Sequence, residues 1–335
     1  MASSSRTGAS GVTRKLVGLT IAVIVVGALY TGGWFYAAKW LEDTLSQKLA
    51  ASQQGMHAAA CGNLAVRGFP FRIGLFCDSV ALDDRPSGLS ASFGPLRSAA
   101  QVYRPGHAVL ELDGPAQVRM TPDVTLDANW DLLHASANAW TNGLDRASMA
   151  YDGLKARLNA PSDALSIGIA ARHGENHIRQ SGEALDVAAS FDALSLDFGG
   201  RVLPPLDVVA DMTIADAARW VSSEGPPAGV PLGTSMELRR LSLDLGEGKT
   251  ATLSGPLSIG DDGYLSGVVD LDIAGIDVWR DRISEAFPEV ADSALRIAQV
   301  LRGLSKGDDR AVVKLNVQDG TVYLGLFPIA FIPPL

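Results

Sequence analysis

The chain is short of nearly everything that known catalytic chemistry uses. Its 335 residues include five His and two Cys. No stretch carries a phosphate-binding glycine signature, a dinucleotide fingerprint or a G-x-S-x-G elbow. Basic residues are also scarce, with 28 Lys and Arg against 37 Asp and Glu, a net charge of −9. Four of those bases, Arg6, Arg14, Lys15 and Lys39, precede residue 40 with no acid among them, which leaves 24 against 37 and a net of −13 beyond it. A nucleic-acid partner needs a basic surface to displace counterions from phosphates, and this chain offers none. Apolar residues at 47% and charged residues at 19% exclude wholesale disorder. The length fits two domains or one large β domain.

The first informative segment is uncharged. Leu16–Ala38 is 23 residues, LVGLTIAVIVVGALYTGGWFYAA, and as a helix it spans about 34 Å, enough for a hydrocarbon layer of about 30 Å. Arg14 and Lys15 flank one end, and Trp34, Phe35, Tyr36 and Trp40 cluster at the other. A basic flank reads as cytoplasmic and an aromatic cluster as an interfacial belt. The competing reading is a cleaved signal peptide, but its apolar core is shorter and small residues follow it. The expectation is therefore a disordered tail over 1–13, an anchor over 14–39 and a membrane-proximal helix over 40–60, with Gly55 near the end of regular helix. Everything beyond it lies across the membrane.

Cys61 and Cys77 flank Arg67-Gly68-Phe69-Pro70-Phe71-Arg72. A tight hairpin centred on Phe69 places the two cysteines opposite each other on one face, where an oxidising compartment joins them. Two free buried thiols are the alternative. The Gly68, Phe69, Pro70, Phe71, Arg72 stretch reads as a tight turn filling the core, or as a lip near the membrane.

Period-two alternation then dominates to about Ile214. Val124, Leu126, Ala128 and Trp130 alternate with polar residues, as do Leu165, Ile167 and Ile169, then Leu194, Leu196 and Phe198, then Val208, Ala210, Met212 and Ile214. Turn residues recur at Asp83–Pro86, Arg104-Pro105-Gly106, Asp113-Gly114-Pro115, Thr121-Pro122-Asp123 and Gly199-Gly200, which suits an antiparallel meander. A short helix is expected near Asp216–Ser222. Gly225–Pro231 is the linker candidate separating a β region over 61–224 from a second over 232–335. In the second, Asp277–Leu304 is the one long helical stretch, with Pro288 kinking it or starting a second helix. The chain ends on the apolar run Phe327–Leu335, which needs a cover or a partner.

His173-Gly174-Glu175-Asn176-His177 lacks the spacing of a helical zinc motif and reads as a hairpin turn. Asp261-Asp262-Gly263 and Gly307-Asp308-Asp309 read as turn acids. No metal, cofactor or catalytic set is expected. Many apolar strand faces are set against a single long helix. They pack on each other as a sandwich, or they curl into an open groove that suits acyl chains.

The anchor, Cys61, the Gly68–Arg72 box, Cys77 and the Pro333-Pro334-Leu335 ending together resemble the bacterial family called domain of unknown function 2125, over about residues 15–335. That resemblance implies an architecture and a compartment, namely an inner-membrane protein with its bulk in the periplasm. A looser likeness, through the anchor, the β meander, the turn at 262–267 and the Pro-rich end, is to AsmA-like envelope proteins, in which an elongated curled sheet shelters lipid. The fold expected is thus mainly β, an elongated curled antiparallel sheet or groove with a few helices behind one transmembrane helix. The function expected is non-enzymatic binding of membrane lipid or another apolar envelope ligand. The alternative is an anchored scaffold for envelope proteins with no ligand groove.

Overall fold

The computed structural model describes residues 9–121, 123–141, 143–163, 165–222, 227, 229–305 and 309–334. Residues 1–8 of the expected tail lie outside them, as do Pro122, Gly225, Pro226 and Ala228 of the linker stretch, Gly307, Asp308 and Leu335.

The helix α1 (Ala9–Ser52) has 44 residues and a length of about 66 Å. It takes in Ala9–Thr13, expected as tail, because extending an existing helix costs little once it is nucleated. It stops at Ser52, short of the expected 60. There the Ser52 hydroxyl donates to the Leu49 carbonyl at 2.7 Å and accepts from the Ala59 N–H at 3.1 Å, turning the chain into a strand.

The chain then runs up and down in antiparallel passes. The first passes are each broken near the middle: β1 (His57–Gly62) with β2 (Ala65–Arg67), β3 (Arg72–Cys77) with β4 (Ser79–Asp84), β5 (Leu89–Phe93) with β6 (Leu96–Gln101), β7 (Arg104–Leu112) with β8 (Ala116–Thr121), and β9 (Val124–Asn129) with β10 (Leu132–Trp140). Long passes follow as β11 (Gly143–Ala160), β12 (Leu165–Ser181) and β13 (Ala184–Phe198). After the short β14 (Arg201–Val202) come β15 (Leu206–Ile214), β16 (Ser235–Asp244), β17 (Thr250–Ile259) and β18 (Leu265–Ala274). Two helices, α2 (Ile276–Ala286) and α3 (Ala291–Leu304), precede β19 (Arg310–Gln318), β20 (Thr321–Leu324) and β21 (Phe327–Phe331). The result is one open, curled sheet of 21 strands, in which β15 and β16 pair directly across the linker stretch.

The breaks line up as a crease across the sheet. Asp113-Gly114-Pro115, expected as a reversal, interrupts a single pass, because Pro115 has no N–H for the ladder. The groups freed there are met by the neighbouring break, with the Gly94 N–H donating to the Asp113 carbonyl at 3.1 Å and the Asp113 N–H to the Pro95 carbonyl at 2.9 Å. Trp130, expected inside a strand, sits in the crease with its indole N–H on the Leu112 carbonyl at 2.7 Å. Arg104-Pro105-Gly106 also differs from expectation. These residues open β7, and the reversal is Val102-Tyr103.

One face of the sheet is mostly apolar, with Asn176 and Gln180 among its exceptions. Leu133, Tyr151, Gly174, Phe191, Val208, Leu243, Ala251, Ile273 and Ala311 are successive cross-strand partners. Beyond the crease, Val118, Leu126, Leu158, Ile167 and Phe198 form another row. A register shift between Phe191 and Leu194 against β15 keeps both rows on the same side. The helices cover only the late part of this face. Ile276, Ala298 and Leu301 close over Val269, Ile273, Val313 and Leu315, and every fully buried member of that core lies after residue 250. Pro288 does start a new turn, Pro288–Val290, which separates α2 from α3. The expected short helix near 216–222 is a single 3-10 turn, Ala218–Val221.

Candidate functional site: an amphipathic sheet with a bare apolar face

Among the described residues, no α-helix lies over the apolar face from β6 to β12. Leu110, Leu112, Leu133, Leu158 and Phe191 are half-buried, and Met149 is 36% exposed. A sandwich would bury such positions fully. Among the described residues, the turn at Ala218–Val221 reaches one rim, where Ser222 bridges to Gly143, and Phe287 at the end of α2 reaches the other, its ring 5.9 Å from that of Phe198. Tyr151 lies flat along this face, its ring within 2.4–2.6 Å of where a Cβ on Gly174 would stand, so glycine is required there. Burial pushes the Tyr151 phenol upward, partly opposed by a hydrogen bond with Asn176.

The opposite face is polar. His173, Glu175 and His177, expected in a turn, lie instead within β12, and the glycine between them serves Tyr151 on the other side. Alternation puts all three on the polar face, with His173 and His177 about 13 Å apart along the strand. Glu175 bridges them, at 3.3 Å from His173 Nε2 and 3.2 Å from His177 Nε2. Asp152 meets His173 Nδ1 at 2.6 Å. The imidazole of His173 is raised, chiefly by Asp152, and the Glu175 carboxyl is lowered, chiefly by His177. Among the described residues no group of three or more His, Cys, Asp or Glu is placed to hold a metal ion.

Sequence reasoning missed a shallow cavity of about 660 Å³ on this polar face, floored by Ala99, Ser136, Ser148 and Ala150. Small residues at alternate strand positions are its signal. Arg97, Glu111 and His134 form one rim, Glu175 and His177 the other. Ser148 Oγ lies 2.8 Å from His177 Nδ1, which gives the order of a nucleophile, a base and an acid. Ser148 is paired on both sides, with Ser136 and His177, so its neighbouring N–H groups serve the ladder.

A second polar cluster fastens four strands. Asp186 is 9% exposed and accepts from Arg179 at 2.8 Å, Thr213 at 2.8 Å and Arg239 at 3.0 Å. These bonds, Arg179 first, hold its carboxyl at about 2 against an ordinary 3.8. A depressed carboxylate stabilises the fold above its unfolded pKa and loses that contribution as pH falls through the folded value. The contribution is on the order of 2 kcal/mol, present above about pH 4 and lost toward about pH 2. Acid unfolding followed by circular dichroism should show this slope, and Asp186→Asn should flatten it.

Cys61 and Cys77 are disulfide-bonded. The hairpin register differs from a pairing centred on Phe69, since Cys61 faces Val80 and Ala65 faces Phe76. The bond therefore runs diagonally over the crease, from β1 to β3. Gly68–Arg72 forms the turn above it, closed by the Arg72 N–H on the Gly68 carbonyl at 2.9 Å. This turn rests on α1. Trp34 donates to the Arg72 carbonyl at 3.0 Å, Tyr30 to the Pro70 carbonyl at 2.5 Å, and Phe69 packs on the rings of Trp34 and Phe35. Phe69 and Phe71 are exposed and do not fill a core.

The family described as "Uncharacterized protein conserved in bacteria (DUF2125)" matches residues 34–333, which takes in both cysteines, the Gly68–Arg72 turn and Pro333. No curated protein and no solved structure matches the chain.

Proposed function

The chain belongs to this bacterial family, DUF2125, and from that premise we propose that it is a non-enzymatic, inner-membrane-anchored protein whose sheet shelters the apolar part of a lipid or of another apolar envelope ligand. One observation carries the reading. The same face that takes α2 and α3 to cover it around β18–β19 carries no α-helix from β6 to β12 among the described residues. An uncovered apolar surface of that extent marks a binding site. Its opposite face is lined with charged pairs, so water is favoured on one side only.

The anchor supports the choice of ligand. α1 holds a segment long and apolar enough to cross a membrane, and its far end runs along the first strands. β6, where the uncovered face begins, is separated from the strand beside α1 by β3. In this reading Arg14 and Lys15 stay cytoplasmic and the sheet is periplasmic, where lipid traffic or envelope maintenance would use it.

Mass spectrometry of the full chain, purified gently from membranes, tests this. Stoichiometric phospholipid or another apolar molecule is expected, and a protein free of any such molecule overturns the reading. A second reading, an interaction scaffold, is favoured by the far edge of the sheet. β21 pairs with β20 and exposes Phe327 and Phe331, an edge that another chain could extend. Crosslinking in cells that traps one protein at β21, with no ligand bound, selects it.

A further inference from the structure

The contacts of α1 fix which corner of the sheet lies nearest the apolar segment. Ser52 and Gln53 meet Ala59, and the Arg85 N–H donates to the Met56 carbonyl at 3.0 Å. Twenty residues earlier, Tyr30 and Trp34 meet the Gly68–Arg72 turn. The helix therefore runs along the β1–β2 edge from one end of the sheet to the other, and Ala9–Leu29 projects beyond it. Tyr30 and Trp34 both belong to the uncharged stretch Leu16–Ala38. A bilayer that takes in that stretch reaches the level of the turn.

At that level the sheet presents aromatic tips. Phe69 and Phe71 are 44% and 66% exposed, and Val102 and Tyr103 at the neighbouring reversal are 39% and 74% exposed. The two tips are joined, since the Val102 N–H donates to the Phe71 carbonyl at 3.1 Å. Arg72 and Arg104 follow the tips directly in sequence, and both are exposed. Five other described reversals have a different character. Arg85–Gly88 and Gly199-Gly200 at the opposite end, and Gly182-Glu183, Asp261–Gly263 and Asp319-Gly320 farther from α1, are built of polar residues and glycine. Among the described reversals an exposed aromatic residue followed directly by arginine occurs at these two, while Gly325-Leu326 exposes an aliphatic side chain alone, Leu326 at 91%.

We infer that this corner is a membrane-insertion element. Phe69, Phe71, Val102 and Tyr103 enter the interfacial layer of the leaflet beside α1, and Arg72 and Arg104 meet headgroup phosphates. Aromatic rings favour that depth because one part of the layer is apolar and the other wet, and arginine forks match phosphate oxygens. Insertion holds the sheet upright on the bilayer and opens its bare face to the leaflet. The inference rests on the anchored reading of α1, and it does not require that a lipid be bound to the sheet.

Depth-dependent quenching tests it on the full chain, in nanodiscs of phosphatidylethanolamine and phosphatidylglycerol doped with acyl-chain nitroxide lipid. An NBD label is placed in separate samples at Phe71→Cys, Tyr103→Cys, Val26→Cys and Ser87→Cys, with the native disulfide intact. The nitroxide is expected to quench labels at 26, 71 and 103 at least twofold more than at 87. Quenching at 26 with 71 and 103 as bright as 87 overturns insertion while leaving the anchor in place. Blue-shifted but unquenched emission at 71 and 103 also overturns it, since the tips are then covered by protein. A label at 26 that is not quenched removes the anchor itself, and the inference with it.

Discussion

Met149→Asp is expected to reduce co-purifying apolar ligand at least tenfold, while Val109→Asp leaves it unchanged. The two positions are closely matched. Each lies inside a long strand, and they are 36% and 45% exposed. The intrinsic cost of aspartate in a strand is thus similar at both. They differ in face. Met149 stands between Ala135 and Asn176 in the row that also holds Leu110, whereas Val109 stands opposite Ser136 on the polar side. A carboxylate at Met149 is short and cannot reach water along its own stem as a lysine would. Covering it with an acyl chain strips its hydration, at a cost of several kcal/mol. A tenfold loss needs only about 1.4 kcal/mol. Lipid mass spectrometry on both variants, with matched circular-dichroism melts to confirm folding, checks the result. Equal loss from both variants, or full occupancy in Met149→Asp, removes the sheet face as the binding surface.

Much of this architecture is legible in the sequence, and the parts that are not share a cause. Alternation around Leu126, Ile167, Leu196 and Val208 identifies strands because each has one apolar and one polar side. Pro288 divides the helical stretch for a purely local reason. The crease is different. Gly114-Pro115 has the composition of a reversal, and only the continuing partnership of β7 with β10 and of β8 with β9 shows that the chain goes straight on. Gly174 misleads in the same way, since its reason lies 23 residues upstream in the ring of Tyr151. The choice between sandwich and open sheet is equally non-local. Alternation is identical in both, and what separates them is that the buried cluster closed over by α2 and α3 lies after residue 250. The cavity floored by Ala99, Ser136, Ser148 and Ala150 needs three strand registers before its residues become neighbours. The turn at Gly68–Arg72 and the two cysteines stand out in one dimension, but the helix on which that turn rests does not.

Replacing both cysteines, Cys61→Ser with Cys77→Ser, is expected to lower stability by about 3 kcal/mol for a loop of this size. At this chain length that corresponds to roughly 4 °C in melting midpoint. The bond closes a separation of 16 residues, but its position matters as much as the loop. β1 pairs with β4 on one side of the crease, and β3 pairs with β2 and β6 on the other. The disulfide is the covalent tie between those halves at the sheet edge. Non-covalent contacts oppose the loss, because Asn63 Nδ2 donates to Asp78 at 2.7 Å across the same gap and the Val66 N–H reaches Glu42 of α1 at 3.4 Å. Both are exposed or partly so and are each worth about 1 kcal/mol at most, too little to replace the bond. The damage should also be local. Hydrogen exchange on the detergent-solubilised variant should quicken in β1–β6 and stay slow in β17–β19, whose core closes under α2 and α3 without help from the edge. An unchanged melting midpoint would show that α1 alone holds the edge. Uniform loss of protection would show instead that the two ends of the sheet fold as one cooperative unit.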